Sequence, residues 1–134
     1  MKLSSLLPLL SSFIFLMAMT ACSSRPVETD VVGATAKQYY DYLIEGNYDA
    51  FVDGQYHSDS IPPQYREQLV ANAKMFVAQQ KSEHHGLHEV KIKTTKINKK
   101  AHTAEAFLVF VYGDSTTEEV LVPMTEHDNL WYMK

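Results

Sequence analysis

Ala101-His102-Thr103-Ala104-Glu105-Ala106-Phe107-Leu108-Val109-Phe110-Val111-Tyr112 is the longest apolar stretch in the second half of the chain. Its β-branched and aromatic residues favour a strand. Turn-forming clusters flank it, Asn98-Lys99-Lys100 before and Gly113-Asp114-Ser115 after. Leu87 to Ile97 precedes it, alternating Val90 and Ile92 with Lys91 and Lys93. The alternation slips near Thr94-Thr95, which predicts a bulge there. Thr116 to Thr125 follows, and His127-Asp128-Asn129 turns the chain into Leu130 to Met133. Gaps this short join antiparallel neighbours, so the four strands form a meander.

The first half is helical. Val32, Ala36, Tyr40 and Leu43 recur at helical spacing over Val32 to Glu45. Gly46 ends that helix as a left-handed cap. Asn47 or Asp49 caps a short second helix through about Gly54, with Tyr48 and Phe51 inward. A third helix starts near Pro62 and runs to about Glu83, with Tyr65, Leu69, Ala73, Phe76 and Val77 as its apolar stripe. Gly86 closes it. Helices followed by strands give an α+β class: three N-terminal helices packed on one face of a four-stranded antiparallel sheet.

The N-terminus has a different character. Lys2 is followed by an uncharged apolar run from about Leu6 to Ala18, then by Met19-Thr20-Ala21-Cys22. A charged start, an apolar middle and a small-residue exit make an export signal. Pro8, Ser11 and Ser12 interrupt the run, and a spanning helix needs ~20 apolar residues. Cys22 is the sole cysteine, so no internal disulfide forms. Its place directly after the signal makes it the candidate lipidation site. This divides the chain into a lipoprotein signal over 1–21, a lipidated Cys and tether over 22–30, and a folded domain over 31–134. Two or more acyl chains anchor a protein stably where one does not. The expected partner is therefore a membrane, reached through lipid on Cys22. Ser23, rather than Asp, resembles the enterobacterial pattern for outer-membrane sorting. Ser24, Arg25 and Pro26 lack the acidic cluster that resembles a surface-export tag. Both point to the periplasmic side of the outer membrane.

Composition narrows the function classes. The net charge is −4, which argues against a nucleic-acid surface. Lys91, Lys93, Lys96, Lys99 and Lys100 read instead as a solvated strand edge. His84, His85 and His88 carry ligand-type side chains, but Gly86 breaks the helix between them, so no metal site is expected. His57-Ser58-Asp59-Ser60 contains triad residue types, yet adjacent residues cannot converge as a triad must. No catalytic residue and no cofactor are expected.

Tyr40-Asp41-Tyr42-Leu43-Ile44-Glu45-Gly46-Asn47-Tyr48 resembles the junction of helices one and two in small nuclear-transport-factor-2-like domains. Asn47 stands where that family commonly has Asp. Asp128-Asn129-Leu130-Trp131-Tyr132-Met133 resembles the closing strand of the family, with Asn129 in place of Gly. Ala104-x-Ala106-x-Leu108-x-Phe110 resembles the strand lining its cone. The likeness covers about Val32 to Lys134 and looks closest to the small lipoproteins of this fold found in Bacteroidetes. It implies a curved sheet wrapped around a long helix, forming a cone with a pocket. The fold hosts enzymes, binding modules and dimerisation domains alike, so the resemblance fixes no single activity.

On the presumed inner face stand His102, Ala104, Ala106, Leu108, Phe110, Tyr112, Val120, Val122 and Met124, none of them a carboxylate. Tyrosine joins an apolar body to a polar tip, which suits a pocket wall. The candidate pocket lining is Tyr40, Phe51, Tyr56, Phe110, Tyr112 and Trp131. Alternation also turns Phe107, Val109 and Val111 outward, with Leu121 beside them. An apolar patch on a sheet face marks an interface. Resemblance to folds that pair sheet to sheet implies a two-fold homodimer, with an envelope partner, or cover by helix one or the tether, as the alternatives. The expectation for function is an exported, lipid-anchored, non-enzymatic module binding a small apolar ligand or a protein. The alternatives are an isomerase- or cyclase-like enzyme using the cone, and an interaction protein without a pocket.

Overall fold

The computed structural model describes residues 27–134. The export signal and Cys22 lie outside them. Helix α1 (Glu28–Ile44) begins within the stretch assigned to the tether, four residues before the predicted start at Val32. Glu28 and Asp30 explain the difference. They look like linker polarity in the sequence, but they sit in the first turn, where acids favour the helix N-terminus. The Val27 carbonyl accepts the N–H groups of Asp30 and Val31 at 2.8 and 3.1 Å. Gly46 takes φ +80, as a left-handed cap requires. Asn47 then caps α2 (Tyr48–Asp53) by accepting the Ala50 N–H at 3.3 Å.

Helix α3 (Pro63–His84) has proline in its first turn and ends on His85 in the left-handed region. Its packing is sparse. Of the expected stripe only Ala73 is buried, Gln80 joins it, and Tyr65 is 47% exposed. The helix seated on the sheet is α1, not the longer α3. Its Gly33 lies so close to β1 that an added Cβ would stand 3.0 Å from methyl groups of Ile92 and Thr95. Thr95 Oγ1 also donates to the Thr29 carbonyl at 2.8 Å.

The sheet order is β1 (Leu87–Asn98), β2 (Thr103–Tyr112), β3 (Thr117–His127), β4 (Leu130–Met133), antiparallel throughout. The bulge predicted at Thr94-Thr95 falls at Lys93, between the pairs Ile92–Leu108 and Thr94–Phe107, and His88 makes a second. Ala101 and His102 belong to the turn, not to the strand. Asn98 Oδ1 accepts the Ala101 N–H at 3.1 Å, and His102 sits exposed at φ 52. His102 is therefore removed from the inner face. Asp128 and Asn129, both at positive φ, make the two-residue turn into β4.

Val90, Ala104, Ala106, Leu108, Phe110, Tyr112, Val122, Met124, Trp131 and Met133 form the core with Val32 and Ala36 of α1. On the outer face Phe107, Val109 and Val111 are half-buried and Leu121 is 48% exposed. The stripe is strapped from both sides. Lys93 of β1 reaches across to Glu119 of β3, whose backbone pairs with Val109, and Lys96 lies over the Phe107 ring at 5.3 Å. A face-to-face pairing through these residues has to displace that strap.

Two expected outcomes follow from the packing. Trp131 is 6% exposed and opposes Glu126, so Trp131→Ala should cost about 3–5 kcal/mol in denaturant melts. A loss under about 1 kcal/mol would make it peripheral. Asp114 Oδ1 accepts both the hydroxyl and the N–H of Thr116, and Oδ2 meets His84 Nδ1 at 3.0 Å. These bonds, the Thr116 hydroxyl first, hold its carboxyl down at about 2 from an ordinary 3.8. A depressed carboxyl stabilises the fold above its unfolded value and stops doing so as pH falls through the folded one. The melting-temperature gap between wild type and Asp114→Asn should therefore narrow between about pH 4 and pH 2. A gap constant over that window would show that the Asp114 charge is irrelevant.

Candidate functional site

A cavity of about 450 Å³ lies between α3 and the inner face of the sheet. Volumes of ~300–1,000 Å³ are usual for small-molecule sites. Its presence follows from the sparse packing of α3, whose Leu69, Ala73 and Phe76 face Tyr40 and Leu43 of α1 and Phe51 of α2. Phe110, Tyr112 and Val120 supply the sheet wall. Aromatic rings run along it in contact. Tyr40 meets Phe51 edge-on at 5.5 Å and Phe110 at 5.0 Å, and Phe110 meets Tyr112 at 6.5 Å.

One end is polar. The Tyr112 hydroxyl donates to Glu118 Oε2 at 2.7 Å. Burial, then that bond, push the Tyr112 hydroxyl far above the ordinary tyrosine value, so it remains a donor. His84 stacks on the Tyr112 ring at 4.5 Å and reaches Asp114, which ties the end of α3 to the β2–β3 turn. Gln80, Asn72 and Gln55 add amide groups to the lining. Burial likewise raises the Tyr40 hydroxyl. The site can hold an apolar body along the rings and offer a carboxylate, a phenol and amides to a polar tip.

Of the residues nominated from sequence, Tyr40, Phe51, Phe110 and Tyr112 line this cavity. Tyr56 and Trp131 do not. Tyr56 is 36% exposed and stacks flat on His127 at 3.6 Å beside a separate, polar groove that includes His57, Arg66 and Tyr132. Trp131 is packed in the core. The expectation that the inner face lacks a carboxylate is corrected by Glu118. It opposes Phe110 in the sheet and so shares its face. Period-two alternation carried two residues back from Val120 finds it; apolar content alone stops short. The three clustered histidines diverge, His84 to Asp114, His85 to the helix cap and His88 to a bulge. Among the described residues no group of three or more metal-ligating side chains converges.

No family model and no curated protein matches the chain by sequence. Among solved structures it is similar to a protein of Campylobacter jejuni provisionally named an NTF2-like transpeptidase, solved by crystallography. The two share 15% identity and a TM-score of 0.60, over 75% of this chain and 94% of that one. A likeness at that identity concerns backbone architecture. With three helices on a four-stranded antiparallel meander around an aromatic cavity, the chain has the NTF2-like fold.

Proposed function

We propose that the chain is an exported, lipid-anchored binding module of the cell envelope that holds a small amphipathic molecule beneath α3. The observation that carries the binding part is the cavity: a continuous aromatic wall with a hydrogen-bonding end. Export and anchoring are supported by Lys2, the apolar run and Met19-Thr20-Ala21-Cys22. Among the described residues no helix is long and apolar enough to cross a membrane, so an anchor of this class rests on the lipid. Four residues lie between Cys22 and Val27, five Cα steps with a reach of at most ~18 Å, so a lipid there would hold the domain close to the bilayer. The periplasmic face of the outer membrane is the location that Ser23 favours.

Glu118 gives a second reading some support, an isomerase- or cyclase-like enzyme with a carboxylate at the cone mouth. Glu118 is exposed and engaged with Tyr112, whereas burial is what tunes a carboxyl for proton transfer near neutral pH. The transpeptidase name of the similar structure is not extended to this cavity, whose lining holds no Ser, Thr or Cys to accept an acyl group.

Two experiments test the reading. Cys22→Ser should move the protein from the membrane fraction to the soluble or unprocessed pool; a variant that stays membrane-bound at the mature size would sink the lipid anchor. The neutral dye Nile red should fluoresce in the domain and lose at least about tenfold in affinity on Ala73→Trp, which puts an indole where the ligand would lie. Equal dye binding by wild type and variant would place apolar binding elsewhere.

A further inference from the structure

The cavity is asymmetric in charge. Its lining contains one ionisable acid, Glu118, and neither Lys nor Arg. Tyr112 occupies only one of the two carboxylate oxygens; Oε1 makes no hydrogen bond among the described residues. Asp114 and Glu83 stand close enough to act on the same Tyr112 hydroxyl, so the surroundings of this end are acidic as well. The histidine here, His84, is committed to Asp114 and to stacking on Tyr112. Behind the carboxylate lie the rings of Tyr112, Phe110, Tyr40 and Phe51. Aromatic faces attract cations through their quadrupole, most where water is excluded. A phenol that donates to a carboxylate has a more electron-rich ring, which strengthens that attraction.

An anion entering here meets Glu118 with no cation in the lining to offset it. A neutral apolar molecule gains the rings but leaves Oε1 to water. A cation with an apolar tail satisfies both ends. We propose that the ligand class is a cationic amphiphile, an amine or quaternary ammonium seated against Glu118 and Tyr112 with its hydrocarbon between Phe51, Phe76 and Phe110. This deepens, and rests on, the assignment of the cavity as a binding site.

Octyltrimethylammonium, octanol and octanoate share a tail and differ in head charge, so they separate the two claims. Calorimetric titration into the purified full chain, below the micellar range, should give affinities in the order cation, alcohol, anion. The cation should lead the alcohol by about tenfold or more. Glu118→Gln should remove most of that lead and its salt dependence, with an unchanged circular dichroism spectrum reporting that the variant is folded. Octanol or octanoate binding as tightly as the cation would overturn the charge class and leave the apolar site standing. A lead that survives Glu118→Gln would overturn the assignment to Glu118. Failure of all three probes to bind would overturn the cavity itself as a binding site.

Discussion

The structure closes on a contact between the end of α2 and the last strand. The Met133 N–H donates to the Gly54 carbonyl at 2.7 Å, and the Tyr56 N–H donates to the Met133 carbonyl at 2.8 Å. Between them the Tyr39 hydroxyl donates to the Trp131 carbonyl at 2.6 Å. Only glycine fits at position 54, because a Cβ there would stand 2.4 Å from the Tyr39 ring. Strand β4 has four residues, too few to hold an edge alone. Gripped in this way it keeps Trp131 and Met133 in the core and leaves little open strand edge at that end of the sheet. The closed end gives α1 a fixed bed, and the cavity is the space left between that bed and α3.

The fold was legible because local signals agreed with one another. Gly46, Asn47 and Gly86 punctuate the helices where their backbone chemistry demands it, and the start expected near Pro62 falls one residue on, at Pro63. The alternation of Ala104, Ala106, Leu108 and Phe110 names the inner face directly. The site was legible in part. Tyr40, Phe51, Phe110 and Tyr112 follow from face and size. The side of the core on which an inward residue lands depends on register between distant strands, and Trp131 is placed by its pairing with Glu126. Glu118 escaped notice because an acidic residue at a strand end reads as turn polarity. The start of α1 was missed for the same reason, since acids in a first turn and acids in a linker look alike.

The two faces of the sheet handle exposed apolar surface differently. Outside, β2 carries Phe107, Val109 and Val111, and long side chains from the neighbouring strands lie across them. Lysine and glutamate shield hydrocarbon with their own methylenes while keeping their charges wet. Inside, the corresponding surface near Phe110 is roofed by a helix that does not fill the space. A pairing on the outer face would have to displace those side chains, whereas the space beneath α3 is already open.

Helix α3 resembles a beam resting on two supports. At its C-terminal end the Gly113 N–H bonds to the Gly86 carbonyl at 2.8 Å, the Asp114 N–H bonds to the His84 carbonyl at 3.0 Å, and the His84 side chain meets Asp114. At its N-terminal end Arg66 spans Asp49 and Asp53 at 3.4 and 2.8 Å, with both acids open to water. Solvated ion pairs contribute little and weaken with salt, while several hydrogen bonds with a stacked ring hold more firmly. The supports are therefore unequal. A helix held this way would open first at Arg66, turning about His85-Gly86, both at positive φ. For the guest proposed above, residence time would then depend on the ionic strength around two surface aspartates rather than on the cavity lining alone.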